Sequence, residues 1–297
     1  MASFPLLSSV ANSANPIDWG TWMFATLIVL LLLLRFVIPA SVRWEIRLAR
    51  EVLLVAPAAL FYFLVRGLVD AKPAVAFAHG ENIIRLERAL GIFHEHDLQA
   101  AILRFDPLVD LVNWIYIWTH WPVIIATLVW LVVFHRSKYP LYRNVMLLSG
   151  AVGMFIFAIY PVAPPRLMPG LGVVDTVTIH SYSYRLLQPP DLTNPYAAMP
   201  SLHLGWNLLM GIAIFRESKR LGVKLLGVLM PVSMFFGIVL TANHYILDGL
   251  VGGLLVLLSF LVVTMAPRVR NPLKRMARHL RPPVLHAPGK PETSAES

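Results

Sequence analysis

Two histidines in this chain stand where phosphoryl chemistry can use them. His203 closes the stretch Ala198-Met199-Pro200-Ser201-Leu202-His203, and His244 opens the stretch His244-Tyr245-Ile246-Leu247-Asp248. His244 and Asp248 are four residues apart, so a helix puts them on one face. An acid hydrogen-bonded to one ring nitrogen fixes the tautomer and raises the basicity of the other. That second nitrogen can attack phosphorus and form a phosphohistidine. Taken alone, the pair serves at least as well as a polar contact between helices, because buried polar groups need partners whatever their role. Ser201 is a strong N-cap after Pro200, and the free N–H groups of a helix start attract phosphate. His203, one turn in, is placed to protonate a departing oxygen. An ordinary Pro-Ser helix start with a solvated histidine has the same pattern. In Pro161-Val162-Ala163-Pro164-Pro165-Arg166 the prolines stiffen the chain and hold Arg166 near a membrane edge. Its guanidinium can clamp phosphoryl oxygens with two parallel hydrogen bonds, although an interfacial arginine reaching lipid head groups reads the same. Arg185 is the second candidate clamp. Arg143 is excluded, because it starts the same apolar segment from the far end, about 35 Å away at about 1.5 Å per residue.

The elements that must position these residues are membrane helices. The chain has 297 residues, of which 57% are apolar and 14% charged, with a mean hydropathy of +0.67. One soluble core cannot hide that much apolar surface. A span needs roughly 20 apolar residues to cross a layer about 30 Å thick. Seven segments read as spans: Thr21–Ile38, Glu51–Val69, Leu108–Phe134, Leu141–Tyr160, Ser201–Phe215, Val223–Thr241 and His244–Ala266. The first lacks a basic leader and a small-residue cleavage site, so it reads as a span rather than a signal peptide. The expected fold is all-α, a polytopic membrane bundle of six to seven transmembrane helices. Residues 1–70 carry the first spans, and 71–107 form an amphipathic extracytoplasmic segment. Residues 108–266 form the membrane core, and 267–297 a basic cytoplasmic tail without fixed structure. In the amphipathic segment Ile83, Ile84, Leu86, Leu90, Ile92 and Leu98 fit one or two helices lying on the bilayer surface.

Basic residues orient the bundle. Alternate loops and the tail gather most of the 25 Lys and Arg, which assigns that side to the cytoplasm. The net charge of +9 is then mainly an orientation signal with attraction to anionic lipid heads, and no folded basic face suggests a nucleic-acid partner. The loop 161–200 and the turn at Ala242-Asn243 fall together on the opposite, extracytoplasmic side, so His203, His244 and Asp248 start their helices at one membrane face. No cysteine is present, which excludes disulfides and thiol catalysis. The excess of arginine over lysine, with plentiful Ala, Gly and Pro, points to a GC-rich bacterial gene and hence a bacterial plasma membrane.

Pro200-Ser201-Leu202-His203 and His244-Tyr245-Ile246-Leu247-Asp248 resemble the second and third motifs of the type-2 phosphatidic acid phosphatase superfamily. Ala163-Pro164-Pro165-Arg166, Arg85-Leu86-Glu87-Arg88-Ala89-Leu90-Gly91-Ile92 and Tyr116-Ile117-Trp118-Thr119-His120-Trp121-Pro122 are similar to its aureobasidin-sensitive inositolphosphotransferase branch. The resemblance covers about residues 83–266. It implies His244 as nucleophile, Asp248 as the group orienting it, His203 as general acid and Arg166 as phosphate ligand, without metal or other cofactor. It implies a lipid phosphate or phospholipid donor and water or a polyol, glycan or lipid as acceptor. The chain departs from the superfamily pattern at three places. Ile159 stands where the first motif has lysine, with Leu167 following the arginine. Leu202 stands where the second motif has glycine, and Ile238 where the third has arginine. Two cationic phosphate ligands are therefore absent from their expected places. Either Arg185, Lys72, Arg85 and Arg88 substitute, or the substrate carries less charge, as a phosphodiester does beside a monoester.

Other polar residues are less specific. His120 falls about 18 Å into its span, counting about 1.5 Å per residue, and is either functional or hydrogen-bonded within the bundle. His94, Glu95, His96 and Asp97 read as a solvated segment rather than a metal site. Asp175 and Asp191 are loop carboxylates within reach of a hydroxyl acceptor. Trp114, Trp118, Trp121 and Trp130 read as interface and packing residues. The expected activity is phosphotransfer from a lipid-linked phosphate to an alcohol. A lipid phosphate phosphatase and a non-catalytic lipid-binding or transport protein with a degenerate site are the alternatives.

Overall fold

The computed structural model describes residues 49, 51, 53, 73–180 and 194–279. The expected spans Thr21–Ile38 and Glu51–Val69 lie outside the described residues, apart from isolated positions. Among the described residues all regular structure is helical, with one isolated parallel bridge between Val162 and Ala197.

The amphipathic segment folds as α1 (Pro73–Leu90) and α2 (Glu95–Ile102). Gly91, at φ 69°, closes α1, and the Gly91 and Ile92 N–H groups return to the carbonyls of Arg88 and Glu87. This left-handed stop needs glycine. The segment does not simply lie on lipid. Ala76, Gly80, Ile83, Ile84 and Glu87 are buried against the rest of the protein, while Leu86 and Leu90 point away. The backbone of Ala76 accepts from Ala163 N–H, and His79 bonds the Pro161 carbonyl through Nδ1 at 2.8 Å, stacked on Tyr160.

The expected span Leu108–Phe134 is two helices, α3 (Asp106–Trp118) and α4 (Trp121–Phe134), bent by 45° at Thr119 and His120. Pro122 explains the break. It donates no hydrogen bond, and its ring excludes the carbonyl of Trp118, four residues back, where α3 ends. Helix α5 (Tyr139–Ile159) is long and apolar enough to span, as are α8 (Leu221–Leu240) and the first 21 residues of α9 (Ile246–His279). Between α5 and α8 lie a 3-10 turn at Pro165–Leu167, the short α6 (Thr176–His180) and α7 (Leu202–Glu217). Among the described residues three helices are thus long and apolar enough to cross a bilayer, and the bent pair makes a fourth if it counts as one span. The expected span Ser201–Phe215 is α7, which at 16 residues is shorter than a full crossing. Helix α9 continues through Pro267 to His279, so the segment after Ala266 begins as helix.

Helix α7 is the hub. It packs on α4, α5, α8 and α9, with Leu202, Trp206, Leu209, Met210 and Ala213 buried in the main core. Lipid tails are as apolar as leucine, so these helices gain little from hydrophobicity and gain chiefly from close packing at small residues. A Cβ on Gly205 would stand 2.7 Å from the Gly252 carbonyl oxygen, and one on Gly252 would overlap the backbone of Ser201. Helices α7 and α9 therefore touch backbone to backbone. Gly252→Ala should lower the thermal midpoint and turnover together, since overpacking costs about 1–3 kcal/mol. Gly253→Ala, whose Cβ would meet only Leu208 at 3.6 Å, should change neither. Thermal unfolding of both variants in detergent checks this contrast.

Candidate active site

The start of α7, the turn before α9 and the chain leaving α5 meet at one end of the bundle. Each junction is made by backbone groups. The Ser201 N–H donates to the Asp248 carbonyl at 2.9 Å, and Ala198 N–H and Val162 N–H pair with the Val162 and Tyr196 carbonyls. The Arg166 N–H donates to the Ala242 carbonyl at 2.9 Å, and the Tyr245 hydroxyl donates to the Ala163 carbonyl at 3.1 Å. Ala242 itself sits at φ 55°, a conformation that non-glycine residues seldom adopt. It turns the chain so that His244 precedes α9 rather than starting it.

These junctions bring the expected histidines together. The rings of His203 and His244 stand 5.6 Å apart, centre to centre, tilted by 55°. Both line a small cavity together with Tyr116, His120, Trp121, Arg166, Asn194 and Asn243. A backbone carbonyl joins Asp248 at the His244 ring. Its Nδ1 lies 2.7 Å from the Ala198 carbonyl oxygen, while the Asp248 carboxylate is 3.6 Å away and accepts from the Tyr245 N–H at 2.9 Å. A carbonyl can only accept, so Nδ1 carries the proton and Nε2 keeps the lone pair. Asp248, fully buried, adds a negative charge beside the ring and steadies it when it becomes positive.

Arg166 sits in the cavity wall with its direction fixed. Its Nε donates to Asn243 Oδ1 at 2.8 Å, and Nη1 meets Asp175 Oδ2 at 3.3 Å. Asp175 also accepts from the Thr178 N–H, so this loop carboxylate is a structural partner of the arginine. Ser201 is buried and caps α7, with Oγ accepting from the Leu204 N–H at 3.5 Å. It shapes the helix start without lining the cavity. Arg185 and Asp191 lie outside the described residues. So does Lys72, while Arg85 bonds Asn82 and Arg88 lies over the Phe93 ring, and neither arginine lines the cavity. Arg143, excluded from the site by distance, pairs with Glu51 and Asn144. The positions without the expected cations do not face the cavity either. Ile159 is 62% exposed, and Ile238 is buried with Met234, Val239 and Leu204.

Other residues join the site only through the fold. His120 occupies the break between α3 and α4, 4.2 Å from His203 ring to ring and parallel to Trp206. Tyr116, one turn earlier, stacks on His203 at 4.7 Å. Trp121 lines the cavity instead of facing lipid, whereas Trp114 and Trp118 are exposed. The break re-aims these side chains, and only Pro122 hinted at it. Glu95, expected in a solvated segment, is buried and accepts from the Ile246 N–H at 2.9 Å.

Asn243→Leu should weaken inhibition by inorganic phosphate about 10-fold or more, because a hydrogen bond to a charged group is worth about 1.5–3 kcal/mol. Unchanged phosphate inhibition in a correctly folded variant would count against Arg166 as the phosphate ligand.

A family model for the PAP2 superfamily matches residues 81–262, more than half of the 297. No curated protein and no solved structure matches this chain.

Proposed function

The chain belongs to the PAP2 superfamily, an integral membrane protein with a phosphatase- or phosphotransferase-type function on lipid phosphates, and from that premise we propose that it transfers a phosphoryl-linked head group from a lipid to an alcohol acceptor through a phosphohistidine on His244. The observation that carries this reading is the His203–His244 pair, with Nδ1 of His244 held by the Ala198 carbonyl. Nε2 of His244 attacks phosphorus. The bond from phosphorus to the leaving oxygen breaks, and that oxygen takes its electron pair and a proton from His203. An acceptor hydroxyl then attacks phosphorus, gives its proton to His203, and the N–P electron pair returns to His244. Arg166 neutralises charge on the non-bridging oxygens. Fixed cations and dipoles of this kind stabilise the transition state, and positioning supplies much of the rest.

The charge of the cavity favours a diester donor, with an inositol phosphate head group as the specific proposal. Arg166 already shares its charge with Asp175, and Ile159 and Ile238 leave two expected cations missing. A phosphodiester carries one negative charge and a monoester nearly two, so a site with few cations suits the diester. The site is proposed to open on the extracytoplasmic leaflet of a bacterial plasma membrane, with the carboxyl terminus in the cytoplasm, as the loop charges indicate.

His244→Ala should lower kcat by about 1,000-fold or more, in line with removal of other catalytic nucleophiles. Incubation with lipid labelled in its phosphorus should trap a phosphoenzyme that survives alkali and is lost in acid, and His244→Ala should abolish the label. Retained turnover by this variant on phosphatidylinositol and phosphatidic acid would end the nucleophile assignment. Preference for phosphatidic acid over phosphatidylinositol would replace transfer with hydrolysis.

A further inference from the structure

The first turn of α9, directly after His244, is held by three carboxyl groups from three helices. Glu87 Oε1 of α1 accepts from the Leu247 N–H at 2.7 Å, and Glu95 Oε1 of α2 from the Ile246 N–H at 2.9 Å. Asp248 Oδ2 accepts from the Tyr245 N–H at 2.9 Å. Glu87 and Asp248 are fully buried and Glu95 is 1% exposed. A helix start has N–H groups without helical partners and carries about half a positive charge. It matches one or so buried negative charges, not three. Among the described residues no Lys or Arg pairs with Glu87 or Glu95. Their second oxygens, Glu87 Oε2 and Glu95 Oε2, are buried without a hydrogen-bond partner, while their first oxygens hold neighbouring N–H groups of one helix turn. Two ionised carboxylates placed so cannot satisfy each other, because both only accept; one proton between them supplies the missing donor.

We propose that Glu87 and Glu95 share one proton and act together as a positioning pair that locks the first turn of α9, and with it His244, against the α1–α2 hairpin. This rests on His244 as the nucleophile. The titratable groups acting on Glu87 are Glu95 from α2 and Asp248 and Tyr245 from the start of α9. Burial, then the hydrogen bond to Glu95, pushes the Glu87 carboxyl up to about 9, against the opposing pull of the Leu247 N–H. The pair therefore keeps its proton through neutral pH. Above about 9 the proton leaves, two buried negative charges face each other, and the helix start is pushed away from the hairpin.

The sign for stability follows from proton counting. Folded Glu87 holds a proton that the unfolded chain has released above its ordinary value of 4.5. Stability therefore falls as pH rises from about 4.5 to about 9, and the slope vanishes above that. Glu87→Gln keeps an oxygen for the Leu247 N–H and a permanent N–H for Glu95, but it cannot titrate.

The test uses the full chain in lipid nanodiscs, with phosphatidylinositol as donor and thermal unfolding in parallel. Wild type should lose kcat on an alkaline limb near pH 9. Glu87→Gln should keep kcat within about 3-fold at pH 7, lose that limb, and flatten the fall of the thermal midpoint between pH 5 and 9. Glu87→Ala should lose at least about 10-fold in kcat with little change in KM. An unchanged pH slope of stability in Glu87→Gln, or an unchanged alkaline limb, overturns the shared proton. Full kcat in Glu87→Ala overturns the positioning role. The stability slope needs no turnover, so a failed nucleophile assignment shows in His244→Ala alone, while a failed carboxyl pair shows in the slope.

Discussion

The site depends on a seam where two helices meet with no side chain between them. The Ser201 N–H reaches the Asp248 carbonyl, and Gly252 lies against the Ser201 backbone. Because α7 and α9 approach this closely, His203 near the start of one comes within a ring's width of His244 just before the other. A bilayer makes such a contact demanding. Lipid supplies no hydrophobic drive between helices and no water for stray backbone groups, so contact and hydrogen bonding must be complete within the protein. Glycine at 205 and 252 satisfies the first demand, and the Ser201–Asp248 bond helps satisfy the second.

Around that seam the protein uses backbone dipoles and neutral acceptors more than charge. His244 is aimed by a carbonyl, Arg166 by an asparagine, and the helix start by carboxyls from a peripheral hairpin. The Ala198 carbonyl holds one tautomer without itself being able to titrate. Asp248 stands slightly farther off, where a negative charge would favour a positive imidazole ring. A site built in this way is pre-organised before substrate enters, which is what electrostatic stabilisation of a phosphoryl transition state requires. The hairpin α1–α2 belongs to the same design. It holds the chain leaving α5 through Ala76 and His79, and it reaches the α9 start through Glu87 and Glu95.

Much of this was legible in the residues. Composition called for membrane helices, and the spacing of His244 and Asp248 with the Pro-Ser-Leu-His stretch pointed to the two histidines that meet in the cavity. Arg166 was found from the proline-rich exit of α5, and it does line the cavity. What misled was the assumption that an apolar run is one helix and an amphipathic run faces lipid. Leu108–Phe134 is mostly apolar, yet Pro122 breaks it and turns His120 and Trp121 toward His203. Glu95 looked solvated because carboxyls on a polar segment usually are, and Glu87 drew no reading of its own; nothing in linear order announces that both will accept from helix-start N–H groups some 150 positions later.

The sequence by itself determined the class of molecule, the candidate histidines and the shortage of cations at the motif positions, because those follow from residue type and local spacing. The tertiary structure alone decided which nitrogen of His244 is left to react, which residues complete the cavity, and which buried carboxyls hold the helix start. Those outcomes rest on hydrogen bonds between backbone and side chains far apart in the chain, and a hydrogen bond is a matter of a few tenths of an ångström that no periodicity encodes.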